Sequence, residues 1–255
     1  MNRHLFVVMI LIATTGACDK AATPPETSSD NSASAKSTAP ASSADASPET
    51  TETAPPAQAD EGKAQRIAVR ECFAAYRKAV LDADGKASAD LVTTSTLDVY
   101  QKYMDHAMTS DRKTVEALPL TDRLVVLSIR HRIPTEDARK MNGRRLFEYG
   151  VENGWIGKSS VIGTKVRTVE VADGHASAAM MVNGREAPFR FRFELEDGQW
   201  RFDLTSIMTF ADTAFKAAAQ QSGQEENEFL NTMLEGVSRK PVADSVWEPI
   251  GETEG

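Results

Sequence analysis

Apolar positions recur at helical spacing soon after residue 61: Ile67, Cys72, Phe73, Tyr76, Ala79 and Val80 fall along one side of a helix. That stripe stops at Asp84-Gly85, where glycine suits a helix C-cap. Leu97, Tyr100, Met104 and Ala107 predict a second helix after Ser95, with Asp98 three residues on to complete a capping box. Shorter helices are expected after Ser110, Thr121 and Thr135, and one more from Gly143 to Asn153.

The period then becomes alternating. Asp173-Gly174, Asn183-Gly184 and Asp197-Gly198 each sit between alternating runs, and Asx-Gly supplies the positive φ angles of a type I′ hairpin. Four strands are expected in succession, at about 165–172, 175–182, 185–196 and 199–208. Two-residue turns also set the register. Leu195 faces Trp200, Phe193 faces Phe202 and Phe191 faces Leu204, while Glu194 meets Arg201 and Arg192 meets Asp203 on the other side. Counting through the other turns sets Ala178 against Phe189, Ala176 against Phe191, Val171 against Ala176 and Val169 against Ala178. All three turns agree on one apolar face, an agreement that a slip of one residue would destroy. A one-sided sheet needs helices over its aromatic face. Two helices are expected beyond it, Asp212 to Gln221 and Glu225 to about Val237, and Trp247 packs one aromatic before a loose end. The fold class is α+β: N-terminal helices packed on one face of a curved four-stranded antiparallel meander, with two extra C-terminal helices.

The start of the chain has neither period. Met-Asn-Arg-His precedes an apolar run from Leu5 to Ala13 and small residues up to Ala17, the make-up of a secretory signal. The run is far shorter than the roughly 20 residues of a spanning helix. Thr15-Gly16-Ala17-Cys18 resembles the lipobox of bacterial lipoproteins. The resemblance implies cleavage before Cys18 and lipidation of that cysteine, with several acyl chains because one binds membranes only marginally. Asp19 resembles the sorting signal that keeps some enterobacterial lipoproteins at the inner membrane. From Ala21 to Ala59 there is no Leu, Ile, Val or aromatic side chain, so little burial is on offer to offset the entropy of ordering. A flexible coil of about 40 residues reaches roughly 35 Å. The expected organisation is a signal peptide at 1–17, a disordered tether at 18–60, an α+β domain at 61–240 and a loose tail at 241–255.

Charge follows the same division. The formal net charge is −8; with Arg3 in the leader, −5 falls on residues 19–60 and −4 on residues 61–255. No basic stripe is present, so nucleic acid is not an expected partner, and an acidic tether gains no hold on anionic lipid.

Helices followed by a meander ending in Asp197-Gly198-Gln199-Trp200-Arg201-Phe202-Asp203-Leu204 resemble the nuclear transport factor 2-like superfamily over residues 66–208. Its members range from polyketide cyclase-like and dehydratase-like enzymes to non-catalytic binding and assembly modules, so the resemblance implies a fold and no activity. An acid–base enzyme of that kind needs a His–Asp or Tyr–Asp pair projecting into the cavity. The inferred apolar face offers no ionisable group apart from Arg185 and Arg167. His175 sits beside a turn, His106 with Asp105 reads as helix surface, and Arg130-His131-Arg132 suits a helix C-terminus. Cys72 reads as a small buried hydrophobe, and Gly154-Trp155-Ile156-Gly157 as core or hinge. Zinc-ligand spacing, phosphate loop and nucleophile elbow are all missing, so no cofactor or metal is expected. The expectation is a membrane-tethered envelope lipoprotein facing the periplasm or exterior, with a non-catalytic module for a protein partner or an apolar ligand. The alternative is a small-molecule enzyme of polyketide cyclase-like or dehydratase-like type, with His131, Tyr76 or Asp105 as candidate groups. An interior filled by Phe and Met favours the module; a carboxylate or imidazole at a cavity floor favours the enzyme.

Overall fold

The structure, a computed structural model, describes residues 56–251. The expected signal peptide, Cys18, Asp19 and the tether up to residue 55 lie outside the described residues, as do residues 252–255. Among the described residues, no helix is long and apolar enough to cross a membrane.

Helix α1 (Pro56–Asp82) begins inside the stretch expected as tether, with proline in the first turn where its missing N–H costs nothing. Its left-handed terminating residue is Ala83, at φ 57°, and not Gly85. Asp84 instead caps α2 (Gly85–Asp90), its carboxylate accepting from the Ala87 N–H at 2.9 Å. Gly85 is glycine for a different reason: a Cβ there would stand 2.5 Å from the Glu148 carbonyl oxygen. Helix α3 (Thr94–Thr109) starts ahead of the expected capping box, because Thr93 Oγ1 accepts from the Thr96 N–H at 3.2 Å. There follow α4 (Arg112–Glu116), α5 (Leu120–Arg132), α6 (Thr135–Ala138) and α7 (Gly143–Glu152).

Strands β1 (Thr164–Ala172), β2 (His175–Val182), β3 (Arg185–Glu196) and β4 (Gln199–Asp203) form an antiparallel meander in the order β1-β2-β3-β4. In all three turns the Asx residue has φ of 48–51° and the glycine 76–81°, as a type I′ turn requires. The last hairpin pairs Leu195 with Trp200, Phe193 with Phe202, Glu194 with Arg201 and Arg192 with Asp203, as expected. The first pairs Val171 with Ala176 and Val169 with Ala178, also as expected. The middle hairpin departs. It leaves its turn in the expected register but then pairs Ala178 with Phe191 and Ala176 with Phe193, two residues out. The register shifts around Met180, opposite the β3 segment that holds Pro188, a residue with no N–H to give to a ladder. An even slip keeps every side chain on its own face, so the apolar face survives. In β1 a bulge exposes both Arg167 and Thr168 and returns Val169 to the inner face beyond Val166.

Strand β4 stops at Asp203, so Leu204 does not face Phe191, and α8 (Thr205–Ser222) begins well before the expected Asp212. Asp203 Oδ1 accepts from the Thr205 N–H at 2.8 Å and from its hydroxyl at 2.6 Å, local bonds that end the strand. Gly223, at φ 70°, closes α8, and α9 (Glu226–Ser238) follows. The outer edge of β4 is covered: the Thr93 N–H donates to the Phe202 carbonyl and the Phe202 N–H to the Leu91 carbonyl.

Two cores result. Beneath the sheet, Phe73 and Tyr76 of α1 meet Phe191, Phe193 and Phe202. Beside it, Tyr103 and Met104 of α3 join Leu127 of α5, Phe215 of α8 and Leu230 of α9. Helix α8 spans both, with Ile207 in the first and Phe215 in the second. Trp247 packs as expected, and the packed segment runs on to Gly251. Val246 is buried with Trp247, and the Ile250 and Gly251 N–H groups donate to the Ala107 and Met108 carbonyls at 3.1 and 3.0 Å.

Candidate functional site

Around Phe73 and Tyr76 the space between α1 and the sheet is filled; a cleft of about 260 Å³ opens near the start of α1, between Glu61 and Gln65 on the helix and Val171, Leu195 and Trp200 on the sheet. The Phe73 ring lies 5.7 Å from both Phe191 and Phe202, Tyr76 lies 5.1 Å from Phe202, and Met180 is fully buried beside them. Burial pushes the Cys72 thiol up to about 12, against a smaller opposing pull from Arg201, so it stays protonated and unreactive. Burial likewise raises the Tyr76 hydroxyl, with Tyr100 adding to it. Arg185 and Arg167 are exposed, and Arg167 pairs with Glu186 at 2.7 Å.

The three candidate groups of the enzyme alternative are not brought together. Tyr76 is inside the filled core. Asp105 is exposed on α3, accepting from Gln101 Nε2 at 2.8 Å. His131 places Nε2 2.8 Å from Ser238 Oγ, and burial, then Arg132 and Lys240, lower its pKa. Arg130, beside it, reaches across to another helix. Arg130 donates to the His106, Ala107 and Ser110 carbonyls at the end of α3 (2.8, 3.0 and 2.6 Å) and to the Trp247 carbonyl at 2.8 Å. The Arg132 guanidinium lies 4.5 Å over the Trp155 ring, which also meets Tyr149 edge-on, so Trp155 is packed between the two.

The polar groups that do converge lie elsewhere. A cleft of about 410 Å³ opens where α3, the start of α5 and α8 meet. Helical spacing puts Val99, Tyr103 and His106 on its α3 wall; Pro119 and Asp122 come from the entry to α5, and Met208 and Asp212 from α8. The Tyr103 hydroxyl donates to Asp122 Oδ1 at 2.8 Å. Burial raises the Asp122 pKa against that hydrogen bond, the Asp212 carboxylate raises it further, and His106 opposes. Asp212 goes the other way. Burial alone would raise it, but Lys216 at 2.8 Å and the Thr121 and Leu120 N–H groups hold it below the usual carboxylate range. The Tyr103 hydroxyl is pushed up by its burial and by Asp122, so it remains a donor. His106 Nδ1 lies 2.9 Å from Ser110 Oγ.

Sequence reasoning passed over all four of these groups. Asp122 and Asp212 read as helix-start acids and His106 as helix surface; only Tyr103 to His106, one turn apart, carried a local signal. Among the described residues, no three His, Cys, Asp or Glu side chains are arranged to hold a metal ion. No family model, no curated protein and no solved structure matches the chain.

Proposed function

We propose that the chain is a membrane-tethered envelope lipoprotein, anchored through Cys18, whose α+β domain is a nuclear transport factor 2-like module that binds and does not catalyse. One observation carries the non-catalytic half. The place between helix and sheet where such an enzyme needs a cavity holds Phe73, Tyr76, Phe191, Phe193 and Phe202, and the acid–base candidates lie apart. The anchor is supported by the leader and by Thr15-Gly16-Ala17-Cys18, and Asp19 supports the inner membrane.

Two experiments test this. Intact mass of the protein extracted from membranes should show a chain beginning at Cys18 and carrying acyl groups, and Cys18→Ala should lose both. An unchanged mass in the variant would remove the anchor. Crosslinking in membranes followed by pull-down tests the module: turnover of a small molecule with no partner recovered would sink it.

A second reading, the cyclase-like or dehydratase-like enzyme, is supported by one feature. Tyr103 and Asp122 are a hydrogen-bonded Tyr–Asp pair in a cleft shared with His106.

A further inference from the structure

We propose that the cleft between α3, α5 and α8 binds a small organic cation, an ammonium group carried on a short apolar body. The proposal names the ligand class of the binding module and rests on that reading. Volume, walls and acceptors each support it. The volume, about 410 Å³, falls within the range of small-molecule sites. The walls include Val99, Pro119 and Met208, which fit a hydrocarbon or aromatic body. Polar acceptors meet there: Asp122, oriented by the Tyr103 hydroxyl at 2.8 Å, and Asp212, oriented by the Thr121 N–H at 3.3 Å.

Charge decides which ligand suits this arrangement. Asp122 is a desolvated carboxylate with a second carboxylate acting on it, so it gains most from a positive group placed beside it. An anion would meet two carboxylates. A neutral ligand would bring Asp122 no charge to add to the Tyr103 hydrogen bond. A bare metal ion lacks the ligand set, since no cluster of three or more metal-binding side chains occurs among the described residues. Lys102, exposed at the rim, is the opposing charge, and the His106 ring lines the same wall; Lys216 is engaged with Asp212. An ammonium seated at Asp122 can donate to the carboxylate while its apolar body displaces water from Val99 and Met208.

Calorimetric titration of the purified full chain with three ligands of one shape tests this: 2-phenylethylammonium, 2-phenylethanol and phenylacetate. The ammonium should bind at least about tenfold more tightly than the alcohol, and phenylacetate not at all. Asp122→Asn, nearly isosteric and still able to accept from Tyr103, should weaken the ammonium about tenfold and leave the alcohol unchanged. Lys102→Gln, on the exposed rim, should tighten the ammonium several-fold without any demand on folding. Equal affinity for all three ligands, no binding, or no response to both variants overturns the cation site and leaves the module reading standing. Conversion of the ammonium to product, followed by NMR, would uphold the site and overturn the non-catalytic reading.

Discussion

His131 and Asp122 show how the same burial acts in opposite directions on a base and an acid. Burial lowers the His131 pKa below that of the unfolded chain, so the unfolded state binds more protons near and below pH 6.5. That contribution to stability is therefore lost as pH falls through this window. Asp122 has the opposite sign: its raised pKa means that stability is lost as pH rises through the carboxylate range. Melting temperature recorded from pH 7 to 5 should fall less steeply in His131→Gln than in the parent chain, and an identical slope would exclude the assignment. Local pattern showed neither effect. His131 read as part of a basic helix end, yet Arg130 beside it serves the carbonyls of α3, a contact that exists only once the two helices pack.

At the scale of elements, the alternating runs were the most legible stretch of the chain. Asx-Gly turns, aromatic alternation and opposite-charge pairs such as Glu194–Arg201 gave the meander and most of its register. Pro188 lies on β3 opposite the irregularity that shifts the middle hairpin by two residues, a break that counting from the turn does not foresee. Glycines were harder to read. Gly85 and Gly143 look like punctuation, yet each sits where α7 crosses another helix: a Cβ at Gly143 would stand 2.7 Å from the Leu97 carbonyl oxygen. Gly85→Ala and Gly143→Ala should each destabilise by about 3 kcal/mol in urea unfolding, because backbone must move. Gly150 is the contrast. Its added Cβ would meet Ile156 at an ordinary 3.7 Å, so Gly150→Ala should be neutral or stabilise by up to about 1 kcal/mol. Equal losses at all three positions would refute the close-crossing account.

For the whole molecule, the C-terminal segment matters more than a loose tail would. Trp247 is 2% exposed against the helical core, and Arg130 ties its carbonyl to the end of α3. Trp247→Ala is expected to cost about 3–5 kcal/mol, and truncation after Lys240 at least as much. Unfolding curves that overlay the parent would show that the segment is dispensable. The same core carries the cleft, since α3, α5 and α8 contribute both its walls and buried residues such as Leu127 and Phe215. Loss of the tail should therefore weaken ligand binding as well as stability.

By itself the sequence determined the α+β class, the four strands and their apolar face, and the burial of Cys72, because each follows from periodicity or turn chemistry within a short stretch. It also supplies all that bears on the anchor, since Cys18 lies outside the described residues. Tertiary structure alone decided the rest. It filled the sheet's interior with aromatic rings, set Gly85 and Gly143 at helix crossings, and gathered Tyr103, Asp122 and Asp212 from three separate helices. Those outcomes depend on which helix faces meet, and no local pattern carries that information.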